Sequence, residues 1–278
     1  MTGHNAGRLN AAVEGVRKDI PSANLRPLLV DFSSFASARK AAEEVISWAE
    51  PLHVLIHNAA APIGPFVLTT DNLETQMAVG HLVPFLFTAL IKPIILSSAS
   101  PTYTPRVIFI SSIGHGHGTG PNFATLGKPD ETLYQPVEAY YRVKSANVLT
   151  ALEICKRSEG RVNAYSLHPG AIYTNIMQHP GAIGPLQEIG LLDSEGGMNT
   201  DPAGGVHTPG GIPWKTIAQG AATTIVAAFD PSLNDKPGTY LNDCAPANDI
   251  VGKESRDMGN ATRLWRMSEK IVGENFVF

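Results

Sequence analysis

With 278 residues, 43% of them hydrophobic and 17% charged, the chain carries enough apolar material for a sizeable core, which excludes disorder as its ground state. A formal net charge of −4, with 21 Lys and Arg scattered along the sequence, offers no basic face and excludes nucleic acid as a partner. Two cysteines, Cys155 and Cys244, cannot build a disulfide framework, and no Cys/His spacing fits zinc.

The segment Met1–Asn10 lacks the apolar stretch of a signal peptide, so the chain is read as soluble and cytoplasmic. The first buried strand is Leu25–Val30, and the turn signal Asp31-Phe32-Ser33-Ser34 leads into a helix over Ala38–Ala49. A strand over His53–Ile56 follows, then a long helical stretch, Leu73–Leu96, carrying Pro84 and Pro93. Within it Leu82–Leu96 is too short and too proline-broken to cross a bilayer, so no membrane span is expected. Arg106–Ile110 is the third strand, Glu138–Lys156 the best-patterned helix and Val162–Leu167 the fourth strand. Ile217–Phe229, the strand Thr239–Leu241 and a helix over Ala261–Val272 complete the chain. Near-continuous apolar strands alternating with helices specify an α/β fold with a parallel sheet covered on both faces. No boundary divides residues 1–278, which are read as one domain. Two Gly- and Pro-rich stretches, Gly114–Pro136 and Gly181–Pro213, read as loops; the second is long enough to be expected to shape a substrate site.

Tyr140 and Lys144 stand four apart and project from one face of their helix. A phenol with a pKa near 10 is a poor proton carrier at neutral pH, and a neighbouring ammonium is expected to lower that value. Ser112 follows a strand, where parallel folds place ligands, and its hydroxyl there holds a carbonyl or alcohol oxygen beside the phenol. Taken alone, the Tyr/Lys pair fits a solvated surface pair equally well. Tyr141, beside the motif, is expected to pack elsewhere on the helix. His115 and His117 in the run GHGHG have no carboxylate or thiol nearby, so they read as loop or substrate contacts and no metal is expected.

The order of motifs decides between these readings. Ser111-Ser112-Ile113-Gly114-His115 after a strand, Tyr140 to Lys144 on the next helix and His168-Pro169-Gly170 after the following strand resemble the short-chain dehydrogenase/reductase family. Pro51–Ala60 (PLHVLIHNAA) is similar to that family's "LHVLINNAG". Ala218–Ala222 (AQGAA), Leu264-Trp265 and Ser268-Glu269-Lys270 resemble its retinol-dehydrogenase-like branch, particularly the fungal members. The resemblance implies a Rossmann-like doubly wound sheet and NAD(P)-dependent reduction of a carbonyl or oxidation of an alcohol on a small, lipophilic or secondary-metabolite substrate. It assigns proton transfer to Tyr140, the lowering of its pKa and the nicotinamide ribose to Lys144, and the reacting oxygen to Ser112. It places Asp31, Asn58 and Ala59 near the adenosine half of NADP or NAD, and Pro169, Gly170 and Thr174 near the nicotinamide. It also implies homodimerisation through the helices at Leu73–Leu96 and Glu138–Lys156.

The sequence departs from the family in two places. Thr2-Gly3-His4-Asn5-Ala6-Gly7 imitates the glycine-rich phosphate turn, yet the distance to Asp31 is too short for the elements that follow it in the family. Gly3–Val13 matches instead the end of the family's second strand and its helix, so the chain reads as N-terminally shortened, with cofactor binding weakened or lost. His4 then stands where NADP-preferring relatives carry Arg. Either the sequence is a shortened form of a longer enzyme, or Leu25–Val30 pairs directly with His53–Ile56; an intact fold of this length is expected to do the latter, in a sheet of about five parallel strands. The second departure is Gly80, which replaces the family's relay asparagine. Pro84, four residues on, cannot bond the Gly80 carbonyl, which is therefore expected to hold the relay water to Lys144. Two further readings stand beside the dehydrogenase: a cofactor-independent, Tyr140-based isomerase, dehydratase or cyclase, and a non-catalytic binding or dimerising homologue.

Overall fold

The computed structural model describes residues 1–200, 208 and 211–278. Its elements are β1 (Thr2–Gly3), α1 (Ala6–Asp19), β2 (Leu28–Leu29), α2 (Phe35–Ser47), β3 (Val54–His57), α3 (Thr75–Met77), α4 (Val83–Leu96), β4 (Arg106–Ile110), α5 (Pro136–Ser158), β5 (Asn163–His168), α6 (Pro180–Glu188), α7 (Ile217–Phe229), β6 (Tyr240–Asn242), β7 (Ala245–Pro246) and α8 (Met258–Val272). One π-turn, Ala78–Leu82, joins α3 to α4.

The helices form where the sequence satisfies both ends and one face. Ser34 caps α2 by accepting from the Ser37 N–H, and Ala38, Ala41, Ala42 and Val45 turn a narrow buried stripe inward. That stripe packs on α4, whose apolar residues are buried nearly all round. The run Thr75–Leu96 is longer than the Leu82–Leu96 stretch weighed as a span and has the length and apolarity of a membrane-crossing helix, but 67% of its most apolar 18-residue window is buried inside the fold, where it serves as core. α5 packs against β4, β5 and α8, while α7 covers the opposite face of β4 and β5. The side chains of β4 and β5 divide accordingly: Val107, Phe109 and Ala164 join the core under α4 and α5, and Ile108, Ile110, Tyr165 and Leu167 join the core under α7.

The sheet corrects one expectation. β2 does not pair with β3; it pairs parallel with β1, through Leu28 N–H to Met1 O at 2.8 Å and Val30 N–H to Gly3 O at 3.0 Å. A separate five-stranded sheet runs β3-β4-β5-β6-β7, parallel through β6 and antiparallel at β7. The short β1, read from sequence only as a strand end, claims the edge that β3 was expected to take. β2 itself is shorter than Leu25–Val30 because Pro27 has no N–H for the ladder.

The register also defines what each edge leaves open. Arg106 N–H bonds His53 O, so in this parallel ladder His53, Leu55 and His57 face β4 while the N–H and C=O of Val54 and Ile56 point away from it. The open edge matches the 39% exposure of Ile56 and the 55% exposure of Leu29 on β2. Amide hydrogen exchange followed by NMR is therefore expected to be faster at Val54 and Ile56 than at Leu55 and His57, by about tenfold or more. Equal protection at all four amides would show that the β3 edge is covered.

Candidate active site

The site assembles at the carboxyl ends of β4 and β5. Beyond β4 the chain turns through Ser111 and Ser112 into a 3-10 turn, Ile113–Gly116. Ser111 Oγ donates to the Lys144 carbonyl at 2.7 Å, tying this turn to α5, and Ser112 Oγ accepts the Gly114 N–H at 3.1 Å. His115 is 1% exposed, and its Nδ1 lies 2.5 Å from the Ser112 carbonyl. A carbonyl only accepts, so Nδ1 carries the proton and Nε2 receives the Gly252 N–H at 3.3 Å. His115 thus has a loop role: it bolts the serine turn to the C-terminal segment. Among the described residues no three His, Cys, Asp or Glu side chains converge as a metal site.

Ser112, Tyr140 and Lys144 line one cavity of about 460 Å³. Lys144 is 7% exposed; its Nζ donates to the Ile110 carbonyl at 2.8 Å and lies 5.5 Å from the centre of the Tyr140 ring. Burial pulls its pKa down to about 8. The phenol departs from expectation. Burial raises the Tyr140 pKa above its ordinary value, against a lowering contribution from the Ser112 hydroxyl, and Tyr141 adds to the rise. Lys144 spends its ammonium on the Ile110 carbonyl, so desolvation dominates and the phenol stays protonated. In this state Tyr140 is set up to give a proton rather than to take one.

Asn58, Pro169 and Gly170 also line the cavity. Gly170 has φ +99°, a backbone conformation that calls for glycine, and the Lys215 side chain lies directly over it. Ala59 and Thr174 adjoin lining residues without lining the cavity, and Asp31 lies outside it. The Asp31 carboxylate accepts from Ser33 N–H at 2.8 Å and Ser33 Oγ at 2.7 Å, which shapes the turn before α2. Slight burial raises its pKa, but the two Ser33 bonds and nearby His4 hold it below the ordinary value. Gly80 lies in the π-turn and is not a lining residue; a Cβ there would fall 2.4 Å from Val143 Cγ1, the neighbour of Lys144.

Sequence reasoning missed several residues. Tyr141 does not pack elsewhere: it lines the cavity over Gly114 and faces His117, ring centres 5.6 Å apart. The reason is local, since a Cβ at Gly114 would fall 2.8 Å from the Tyr141 ring. α6, read as loop, is a helix with His179 as cap and Pro180 in its first turn, and Ala182 and Leu186 reach the cavity from it. Of the stretch 181–213, residues 201–207 and 209–210 lie outside the described residues. His168, which the sequence offers only as part of the His168-Pro169-Gly170 motif, lines the cavity at 7% exposure with neither ring nitrogen hydrogen-bonded among the described residues.

The nicotinamide end of a dinucleotide fits what is present: Tyr140, Lys144, Pro169 and the side-chain-free Gly170 line the same cavity. The phosphate end is different. The N-terminus of α1 does not line the cavity, and Asn5 Oδ1 already accepts its Arg8 N–H at 3.0 Å.

No protein-family profile matches the chain. Among curated proteins it is 32% identical over 281 residues to the short-chain dehydrogenase TIC 32 A, chloroplastic, of Brassica napus, covering 98% of this chain and 80% of that one. It is 32% identical to the short-chain dehydrogenase/reductase prx1 of Penicillium roqueforti, covering 88% and 69%, and 30% identical to human retinol dehydrogenase 12, covering 95% and 74%. Among solved structures, an uncharacterised protein of Mycobacterium paratuberculosis superposes with a TM-score of 0.66 at 22% identity, over 100% of this chain and 85% of that one. An NADPH-bound carbonyl reductase from chicken fatty liver superposes at 0.56 with 19% identity, covering 87% and 83%. The structural likenesses establish the Rossmann-like fold.

Proposed function

The chain belongs to the short-chain dehydrogenase/reductase family of oxidoreductases, and on that premise we propose that it reduces the carbonyl of a small lipophilic substrate at the expense of NADPH or NADH. The observation that carries this reading is the single cavity in which Ser112, Tyr140 and Lys144 meet an apolar wall of Ile63, Ile176, Met177, Leu186 and Leu191. Such a wall holds an apolar body by burial, while three polar groups fix one oxygen.

In the proposed reaction a bound nicotinamide supplies the hydride. The chain's own residues do the rest. Ser112 Oγ donates to the substrate oxygen, and Tyr140, kept protonated by burial, transfers its proton to the oxygen as negative charge develops there. Lys144 holds the ribose and stabilises the phenolate left behind. Pro169 and Gly170 form the nicotinamide wall, and Asn58 and Ala59 lie toward the adenosine half, with Asp31 beyond the cavity. Gly80 contributes its backbone carbonyl, which Pro84 cannot bond, beside Lys144. The stretch 181–213, of which α6 is a part, shapes specificity, and the chain works as a homodimer.

Replacing amide contacts to the pyrophosphate with solvent weakens binding, at about 1.5–3 kcal/mol for each charge-assisted bond lost. Calorimetric titration with NADPH and NADH is expected to give a Kd in the range of about 10 μM to 1 mM, weaker than a glycine-rich loop would provide. Absence of binding together with turnover that depends on Tyr140 would replace this reading with the cofactor-independent one. Absence of both would leave a binding protein.

A further inference from the structure

The run GHGHG at 114–118 sends its two histidines different ways: His115 is 1% exposed in the core, while His117 is exposed and lines the cavity. The glycines on either side make room for Tyr141. A Cβ at Gly114 would fall 2.8 Å from the Tyr141 ring and 3.2 Å from the Tyr140 ring, so both phenols rest on that one residue. A Cβ at Gly118 would fall 2.9 Å from Tyr141 Cβ. The two phenol rings are 6.1 Å apart, and the His117 ring is 5.6 Å from that of Tyr141. All three line the cavity that holds Ser112. We propose that Tyr141 and His117 form a second polar subsite, and that the substrate places a neutral hydroxyl or carbonyl oxygen there in addition to its reacting carbonyl. The proposal rests on the carbonyl-reducing function above.

Both groups are available to a ligand. The Glu138 carboxylate accepts from Arg142 Nε at 3.2 Å and from Thr119 Oγ1 at 3.5 Å, and among the described residues the Tyr141 hydroxyl and the His117 ring have no hydrogen-bond partner. Open to solvent, both are hydrated. A wholly apolar ligand would displace that water without replacing its bonds, which loses affinity, whereas an oxygen in its place keeps them. Burial, and then the Glu138 charge, raise the Tyr141 pKa, so the phenol keeps its proton and can donate. An imidazole carries an N–H in either charge state. The complement to the pair is therefore an acceptor. The Glu138 charge that acts on Tyr141 also opposes a carboxylate, which leaves a neutral oxygen.

The turn fixes the spacing between the two subsites. His117 N–H bonds the Gly114 carbonyl at 3.2 Å, and Gly114 N–H bonds Ser112 Oγ at 3.1 Å. Tyr140 and Tyr141 are successive residues of α5. An oxygen held by Ser112 and Tyr140 and a second held by Tyr141 and His117 are thus separated by about the distance between the phenol rings, 6.1 Å. A benzene ring substituted at opposite ends has that reach. The cavity's apolar residues, Ile63, Leu186 and Leu191 among them, take the body of the substrate between and beside the two oxygens.

The test uses three aldehydes that differ only at the far end: 4-(hydroxymethyl)benzaldehyde, its apolar isostere 4-ethylbenzaldehyde, and 4-carboxybenzaldehyde. Calorimetry on the full chain, with NADP⁺ and without it, is expected to give a Kd about three- to tenfold lower for the hydroxymethyl compound than for the ethyl one, the worth of one net hydrogen bond. The carboxylate should bind most weakly. With NADPH the same preference should appear in kcat/KM through KM, since this bond is made alike in the ground and transition states. Tyr141→Phe keeps the ring on Gly114 and loses only the hydroxyl, and its preference for the hydroxymethyl compound should fall to about twofold or less. His117→Ala should lose preference in the same way, and His117→Gln, which keeps a donor, should retain it. An ethyl compound that binds wild-type chain as tightly as the hydroxymethyl one overturns the subsite, and so does a preference that survives in both Tyr141→Phe and His117→Ala. Tightest binding by the carboxylate overturns the neutral class. Affinities in the expected order without NADPH- or NADH-dependent turnover overturn the carbonyl-reducing function and leave the subsite standing.

Discussion

Replacing Tyr140 by phenylalanine is expected to lower kcat for carbonyl reduction by about 10²–10⁴-fold, the range for losing a positioned proton donor. NADPH affinity is expected to change by less than about twofold, because only a transition-state interaction is removed. Following NADPH oxidation with a lipophilic aldehyde and measuring Kd by calorimetry separates the two quantities. The pH dependence adds a second check. Burial holds Lys144 to about 8 while Tyr140 stays above its ordinary value, so Lys144 is the group that changes charge between neutral pH and pH 9. Below pH 8 the ammonium is present and the relay to Tyr140 is charged; above it the amine is neutral. The free-enzyme profile, kcat/KM, should therefore fall as pH rises through about 8. Lys144→Arg, whose guanidinium keeps its proton, should lose that limb even where its absolute rate is low. Turnover surviving in the phenylalanine variant would remove the phenol from the reaction.

The parts of this arrangement that were legible in the sequence are those fixed by local chemistry. Arg106–Ile110 was read to the residue because Pro105 and the Ser111-Ser112 pair bound five residues that are all buried. α7 was likewise read to both ends, where Thr216 closes a capping box with Gln219. Ser112, Tyr140 and Lys144, which line one cavity, were legible as an ordered motif, although the sign of the Tyr140 shift was not: which acceptor Lys144 chooses depends on the Ile110 carbonyl, 34 residues away in the chain. α6 was hidden by composition, since Pro180, Gly181, Gly184 and Pro185 spell a loop until His179 caps them into a helix.

The division of the sheet has a physical logic. Unpaired backbone is rejected from a protein interior, and β2 has a nearer partner than β3. Thr2–Gly3, carried back by α1, supplied one. The consequence reaches the site: β3 keeps one open edge, and the end of that strand carries Asn58 into the cavity. A dinucleotide or a further strand meeting that edge would find two unpaired backbone residues, Val54 and Ile56, already extended.

Gly80→Ala is expected to destabilise the protein by about 1–3 kcal/mol, as forced overpacking does. A Cβ there would stand 2.4 Å from Val143 Cγ1, and Val143, at 4% exposure, has no open space into which to retreat. The relation is reciprocal: a side chain at position 80 and a β-branched side chain at 143 compete for one volume. Val143→Ala alone should also lose stability, by about 1 kcal/mol or somewhat more for the methyls removed from the core. The double variant should then be more stable than the sum of the two losses by about 1 kcal/mol or more, a coupling that thermal or urea unfolding of all four proteins measures as a double-mutant cycle. Additive losses would show that Val143 is not what excludes a side chain. The cycle bears on chemistry as well as packing, because Val143 immediately precedes Lys144 on α5 and the π-turn at Ala78–Leu82 sits beside it. Pro84 cannot continue the α-helical ladder to Gly80, and the extra residue of the π-turn carries the chain past the gap, with His81 Nε2 2.8 Å from Ser268 Oγ on α8. A residue without a side chain is thus what lets the π-turn pack against Val143, the neighbour of Lys144 on α5. In the Gly80→Ala variant kcat should fall beyond what the Tm shift explains, and Val143→Ala should restore both together.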